Sequence, residues 1–243
     1  MHSVNQQAGQ VNDSTVTAKE GSMQTDTIKT SQGDLVVSFL GHSSLMMSWD
    51  GKIIHSDPVS SEADYAKLPK ADILLISHEH YDHLDLKAVA HVKTAATKVI
   101  GNPEVGKQVP GTIVMKNGDQ QTVAGLKIEA VPAYNIQHMM APGKPFHPKG
   151  VGNGYVVTFG DQRVYLAGDT ENIPEMSDLK NIDIAFLPMN LPYTMTPEMV
   201  ADAVRMFQPK ILYPYHQGDT DTSMIAALLK NEKGIEVRIR VMK

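Results

Sequence analysis

Short apolar runs parted by polar punctuation dominate the chain from Asp34 onward. Residues 34–40, 44–49 and 52–55 are apolar-rich stretches separated by Gly41-His42-Ser43 and Asp50-Gly51, a spacing that predicts a β-meander with a tight Asp-Gly turn. Residues 72–77 form a nearly unbroken apolar run, the pattern of a strand buried on both faces. Further strands are predicted at 98–100, 112–115, 126–132, 154–159, 163–167, 182–187 and 210–213, with Gly160-Asp161 as a hairpin turn. A helix is predicted over 84–94, where Leu86, Val89, Ala90 and Lys93 fall at helical spacing. A second opens at Thr196-Pro197-Glu198, with Thr as N-cap and Pro in the first turn, and places Met199, Val200, Ala203, Val204 and Phe207 on one face. A third covers 223–233 and stops at Gly234, and 235–241 reads as a closing strand with alternating Arg238 and Arg240.

Two stretches echo each other. The run 52–55 leads to Asp57 and then to the apolar run 72–77; the run 163–167 leads to Asp169 and then to 182–187. Each repeats strand, strand-end aspartate, connection, buried strand. The echo predicts two similar β-rich halves whose acidic strand ends meet at a shared edge.

Composition narrows the classes of function. The 243 residues carry a net charge of −5 and no long Lys/Arg run, so no nucleic-acid partner is expected. There are no cysteines, which excludes disulfides, thiolate nucleophiles and Cys-ligated zinc and leaves His, Asp and Glu to hold any metal. No apolar run is long enough for a transmembrane segment. Residues 1–32 are rich in Ser, Thr, Gln, Asn and Asp, lack the basic start and apolar stretch of a secretory signal, and read as a disordered polar tail or tether ahead of a domain spanning 33–243. The compartment stays open between cytoplasm and periplasm.

The densest chemistry lies in Ser77-His-Glu-His-Tyr-Asp-His-Leu-Asp85, between a buried strand and a helix. His78 and His80 are two apart and in extended chain point to the same side. Asp82 and His83 can turn toward a second point nearby, as a zinc site with nitrogen and oxygen ligands requires. A His-rich surface loop is the plain alternative. Of ten histidines in the chain, three fall within these few positions at a strand end, and that clustering favours a metal site.

The segment resembles the H-x-H-x-D-H signature of the metallo-β-lactamase superfamily, and the likeness runs from about Asp34 to the C-terminus. The resemblance implies an α+β fold, a four-layer αββα sandwich of two similar halves. It implies that Asp57 braces the site from a strand end, that Asp169 bridges two metals, and that His216 is the final histidine ligand. Gly41-His42-Ser43 is similar to the subgroup that includes bacterial ascorbate-6-phosphate lactonase-like proteins and N-acyl-phosphatidylethanolamine phospholipase D. His42 then either lines the pocket as a catalytic group or bonds to a turn. Asp85 is expected to orient a ligand histidine from behind. His2, His55 and His91 read as structural or solvated.

One element of the family pattern is displaced. A histidine belongs near the end of the strand 126–132, but the chain reads Ala133-Tyr134-Asn135 there. His147, flanked by Phe146 and Pro148, is the favoured replacement. His138, among Met139, Met140 and Ala141, reads as a mobile rim, and Asn135 either takes the vacant place or bonds a bound water. By the resemblance, His78, His80 and His147 hold one metal, Asp82, His83 and His216 the other, and Asp169 lies between.

The cofactor expected is a pair of zinc ions, with manganese or iron as alternatives. The shared hydroxide of such a pair attacks a carbonyl or phosphoryl centre, with Asp82 also accepting a proton. An acid where His80 stands would suit a redox iron site. A cysteine ligand would suit the best-known zinc β-lactamases, and a large insertion the RNA-processing relatives. What remains is a small-molecule ester, lactone or phosphodiester. Lys144, Lys149 and Tyr193 fall in segments that rim the pocket and could meet an anionic group, Tyr193 and Lys149 as candidate substrate-binding residues, with a solvated loop side chain as the plainer reading of each. Two other readings stand beside the hydrolase: a catalytically silent metal-binding sensor, and a phospholipase-like enzyme at a membrane surface, with Met46-Met47 and Met139-Met140 as an apolar rim.

Overall fold

The computed structural model describes residues 23–242; His2 and most of the expected tail lie outside them. The first sheet has seven strands in chain order: β1 (Gln24–Thr30), β2 (Gly33–Gly41), β3 (Ser44–Trp49), β4 (Lys52–Ser56), β5 (Ile73–Leu75), β6 (Lys98–Gly101) and β7 (Ile113–Val114). Pairing is antiparallel from β1 to β4 and parallel from β4 to β7. The chain then forms β8 (Gln120–Val123), β9 (Leu126–Ala133), a separate hairpin of β10 (Met139–Ala141) and β11 (Lys144–Pro145), and β12 (Gly152–Phe159). It continues through β13 (Gln162–Leu166), β14 (Ile184–Pro188), β15 (Ile211–Tyr215) and β16 (Glu236–Val237). The second sheet runs β8-β9-β12-β13-β14-β15-β16, antiparallel as far as β13 and parallel beyond it.

The two sheets therefore repeat one topology. In the first, α1 (Leu86–Val92) and α2 (Pro103–Gln108) make the parallel crossovers; in the second, α3 (Pro197–Phe207) and α4 (Ser223–Leu229) do so. Asp57 directly follows β4, and Asp169 follows β13 two positions beyond the corresponding point, so the echo read in the sequence is the visible part of a repeated half-fold.

Alternation explains the layers. On β5, Ile73 and Leu75 point between the sheets, while Leu74 and the following Ile76 pack outward against Ala88, Val89 and Val92 of α1. On β12, Tyr155, Val157 and Phe159 enter the same inter-sheet core, whereas Val156 joins Val200 and Val204 of α3 on the far side. Strands buried on both faces lose their polar alternation, which is why residues 72–77 read as one apolar block. The result is the αββα sandwich. Met46 and Met47 lie on β3 and are buried, Met47 in the inter-sheet core, so the expectation of an apolar rim there is corrected.

Three boundaries differ from the sequence reading. The helix expected over 84–94 spans Leu86–Val92, because the Asp85 carboxylate accepts from the Lys87 N–H at 2.8 Å and caps it. The closing strand is paired only at Glu236–Val237. Residues 24–30, expected in the tail, form edge strand β1, seven residues in register with β2. Only Ile28 of β1 is buried as a hydrophobic residue, and an edge strand that buries one apolar side chain looks like a polar tail in sequence.

Asp26 holds β1 to the far end of the chain. Its carboxylate accepts from Arg240 Nη2 at 2.6 and 2.7 Å and from the Tyr213 hydroxyl, and Arg238 Nη1 lies 3.5 Å away. Burial alone would raise this carboxyl, but the bonds from Arg240 and Tyr213 and the two guanidinium charges outweigh it and hold its pKa below 3.8. A depressed folded pKa gives stability that is present above the unfolded value and lost as pH falls through the folded one. Asp26→Asn is therefore expected to cost about 1.5–3 kcal/mol at pH 7, read by urea unfolding. The gap to the parent protein should close as acid protonates Asp26; a gap of the same size at pH 7 and at pH 3 would contradict the pairing.

Candidate metal centre

Loops from both halves meet at one end of the sandwich. The β2–β3 turn brings His42 and Ser43, the segment after β4 brings Asp57, and the segment after β5 brings residues 77–85. From the second half come His147 before β12, Asp169 after β13 and His216 after β15. The halves are tied together at this edge. The Asn153 N–H donates to Ser77 O at 3.0 Å, the Tyr155 hydroxyl to Ile76 O at 2.9 Å, and the His216 N–H to His42 O at 2.9 Å. His42, Asp57 and His216 all stand on left-handed backbone, at φ 50°, 42° and 45°, a strained conformation that concentrates at functional sites. Gly168 makes the close approach possible: at φ 64° a Cβ there would sit 2.8 Å from Asn153 O and 3.1 Å from Ser77 Cβ.

Three groups of side chains each bring their ligand atoms within 4.8 Å of one another: His78, His80 and His147; His42, Asp82, His83 and His216; and His78, His83 and Asp169. Asp169 joins the first two. Its Oδ2 lies 3.2 Å from His147 Nε2, and its Oδ1 lies 3.2 Å from His83 Nε2 and 3.3 Å from His216 Nε2. Asp82 Oδ2 is 3.4 Å from His42 Nε2 and 3.8 Å from His216 Nε2. The Nε2 atoms of His78, His83 and His216 and Oδ1 of Asp169 are buried without a hydrogen-bond partner. Buried polar atoms are rarely orphaned. Convergent imidazole nitrogens and carboxylate oxygens, unpartnered and out of water, fit divalent metal ions.

The charges agree. Burial pushes His78 well below the ordinary imidazole range, with His83 adding to the effect, so its nitrogen lone pair stays free. Burial opposes a charge on His83 too, yet Asp169 and Asp57 overcome it and raise that imidazole well above its usual range. Asp82 is held at about 2: burial would raise it, but the His42 hydrogen bond and the His83 and His216 charges prevail. Carboxylates that draw a proton this strongly onto a neighbour also draw a cation.

Groups behind the ligands fix their orientation. His83 Nδ1 lies 2.9 Å from Asp57 Oδ2 and 3.1 Å from Ser43 Oγ, and Asp57 also accepts from the N–H and hydroxyl of Ser77, each at 2.8 Å. Asn135 Oδ1 accepts from both the N–H and Nδ1 of His147 at 2.7 Å, leaving His147 Nε2 toward Asp169. Asn135 thus braces His147 from behind, and of the roles the sequence left open to it does not take the vacant ligand place. A tether of this kind commonly sets the tautomer of a ligating histidine.

Three sequence expectations are corrected. Asp85 spends its oxygens on the N–H groups of Lys87 and Ser60, at 2.8 and 2.9 Å, and serves as a helix cap without touching a candidate ligand histidine. Lys149 is turned away to Glu175, at 2.7 Å, and to the Tyr134 hydroxyl, at 3.2 Å, while Lys144 sits exposed on β11, in line with its plainer reading as a solvated side chain. His138 is no free rim residue: its N–H donates to Glu171 Oε1 at 2.7 Å and its Nδ1 lies 2.9 Å from the same oxygen. Tyr193 does line the cleft beside the site, packed edge-on to Phe146 at 5.0 Å. His55 is buried, its Nε2 3.1 Å from Pro69 O.

Glu171 escaped the sequence reading altogether. Its fully buried carboxylate accepts from the N–H groups of Ile136, Gln137 and His138 at 2.7–2.8 Å and from Asn135 Nδ2 at 3.1 Å. It folds the loop that presents Asn135. The one available hint was an acid two positions beyond Asp169.

Comparison with known proteins agrees with this geometry. Residues 36–216 match the model of the β-lactamase superfamily domain. A UPF0173 metal-dependent hydrolase of Methanopyrus kandleri is 31% identical over 194 residues, covering 75% of this chain and 84% of that protein. One from Thermococcus onnurineus is 32% identical over 195 residues, covering 74% and 83%. Among solved structures, a candidate metal-dependent hydrolase from Parabacteroides distasonis superposes with a TM-score of 0.87 at 51% identity, over 91% of this chain and 100% of that one. The diiron β-hydroxylase CmlA of Streptomyces venezuelae, at 17% identity and a TM-score of 0.69 over 85% of this chain and 53% of its own, shares the fold alone. Matched along most of its length by the domain model and by these relatives, the chain belongs to the UPF0173-type metal-dependent hydrolases of the β-lactamase superfamily.

Proposed function

We propose that this centre holds two divalent ions, zinc first among the candidates, and hydrolyses a small ester, lactone or phosphodiester. The observation that carries the reading is Asp169, whose Oδ2 faces His147 and whose Oδ1 faces the buried, unpartnered Nε2 atoms of His83 and His216. His78, His80 and His147 would hold one ion, and Asp82, His83 and His216 the other, with Asp169 shared. When bound, the ions supply a nucleophilic water near neutral pH and an electrophile for the oxygen on which charge develops.

The chain's own residues do the rest. Asp57 and Asn135 keep Nδ1 of His83 and His147 occupied, so that Nε2 faces the centre. Asp82, the most exposed acid of the centre, lies at the cleft and is placed to accept a proton from water. His42, 3.4 Å from Asp82 and with its ring tilted 41° against His216 at 3.7 Å, is the base beside it that can carry that proton on. No helix among the described residues is long and apolar enough to cross a membrane.

Zinc titrated into chelator-stripped protein should bind at two equivalents and raise thermal stability, by about 4 kcal/mol for each site whose dissociation constant free zinc exceeds a thousandfold. Chelation should abolish turnover of p-nitrophenyl esters or bis(p-nitrophenyl) phosphate, and zinc or manganese should restore it. Full activity in chelator, or no stoichiometric binding of any divalent ion, would defeat the proposal.

A further inference from the structure

The cleft above the centre has a volume of 520 Å³, enough for a small organic substrate. Its walls are uneven in kind. Val59, Tyr81, Met140, Phe146 and Tyr193 give an apolar and aromatic side. Tyr81 (87% exposed), Met140 (54%) and Tyr193 (44%) leave large apolar surface facing outward, far more than a closed core would tolerate. Ser61, Asn190 and Glu62 line it as well, Asn190 in one turn with Tyr193 and Glu62 in one turn with Val59. No lysine or arginine lines the cleft among the described residues, and Lys149, the nearest in sequence to His147, is committed to Glu175.

Glu62 is held over the centre's edge. Its side chain covers Gly41, the residue before His42, so closely that a Cβ on Gly41 would lie 2.3 Å from Glu62 Oε2. Ser61 Oγ donates to Oε1 at 2.8 Å. Among the described residues no lysine, arginine or histidine pairs with this carboxylate. Ions held at the centre would neutralise charge at the reacting oxygen but would not serve a second anionic group further out. Among the described residues that line the cleft outside the centre, the fixed charge is the negative one of Glu62.

We propose that the cleft takes a neutral or cationic carboxylic ester or lactone with an apolar group, and that Glu62 sets this specificity by receiving an ammonium or hydroxyl at the far end of the substrate. The inference rests on the hydrolase reading above and narrows its substrate class, away from phosphorylated compounds. The apolar group lies against Phe146, Tyr193 and Met140. The water oxygen bonds to the acyl carbon, the acyl–oxygen bond breaks, and the alcohol leaves with a proton from that water.

The test uses zinc-loaded protein and three p-nitrophenyl esters of matched size whose acyl ends carry a trimethylammonium, a neutral isopropyl or a sulfonate group. The expected order of kcat/KM is cationic, neutral, anionic, with at least about tenfold between the first and last. Glu62→Gln should flatten the series and Glu62→Lys invert it, with metal content followed in each variant. An anionic ester turned over as well as the cationic one, or a ratio untouched by both substitutions, overturns the proposal. Equilibrium binding of benzyltrimethylammonium against benzylsulfonate separates the two levels of the inference. If bis(p-nitrophenyl) phosphate is turned over and none of the esters is, the hydrolase reading stands and the substrate class proposed here is overturned; if neither is turned over, the hydrolase reading fails, and the charge selection assigned to Glu62 is still decided by which of these two ligands binds and whether Glu62→Lys reverses it.

Discussion

Asp169→Ala should yield a folded protein that no longer holds two ions and whose turnover falls by at least ~10³-fold. Asp169 faces His147 with one oxygen and His83 and His216 with the other, and so stands between the two sets of residues proposed to hold the ions. Its loss also leaves positively polarised groups crowded in a buried pocket with one fewer acid to balance them. Asp169→Asn keeps the shape and one carbonyl oxygen, so it should retain one ion better than the second. Metal content by mass spectrometry, alongside circular dichroism to confirm the fold, separates these outcomes. Two tightly bound ions in Asp169→Ala, with activity within tenfold of the parent, would remove the bridging role and with it the arrangement proposed here.

What the sequence made legible follows from how local each signal was. Residues 77–85 announce themselves because loop and ligands are contiguous, and because a strand buried on both faces must read as an apolar block just before them. Asp57 and Asp169 were found as a pair because the half-fold is repeated and each closes the same strand. His147 could be preferred to His138 from its stiff neighbours, Phe146 and Pro148, without any knowledge of its tether. Asp85 misled for a physical reason: a carboxylate after a metal motif and one that caps a helix look alike in sequence, and here the first turn of α1 claims it. Strand β1 was hidden because it buries one apolar side chain, and because the ion pairs that add to its pairing with β2 come from more than two hundred residues away, Arg238 and Arg240 on Asp26. Lys149 illustrates the converse. Its position near His147 suggested substrate binding, but Glu175, brought in by the turn at Pro174–Asp178, neutralises it.

Glu171→Ala is the variant expected to cost most among residues that touch no metal. Three backbone N–H groups and the Asn135 amide converge on this buried carboxylate. Burial alone would raise its pKa, but these donors outweigh it and hold Glu171 below the usual carboxylate range. Ile136 and Gln137 are exposed, so water can replace part of what is lost, and the expected penalty is about 2–4 kcal/mol, as for a few orphaned donors. The consequence for the centre runs through Asn135 to His147. With Asn135 free to turn, His147 loses the acceptor that fixes its tautomer, and the ion held with His78 and His80 should bind about 10–100-fold more weakly. The ion held by Asp82, His83 and His216 should be unaffected, because Asp57 supports His83 independently. Zinc titration can read the two equivalents apart, and Glu171→Ala should weaken the same one that His147→Ala removes. A double variant should then cost little more than His147→Ala alone, since residues acting in series do not add. If Glu171→Ala lowered thermal stability while both ions kept their affinity, the carboxylate would be a structural fastening only, and His147 would have to be held in place by Phe146 and Pro148.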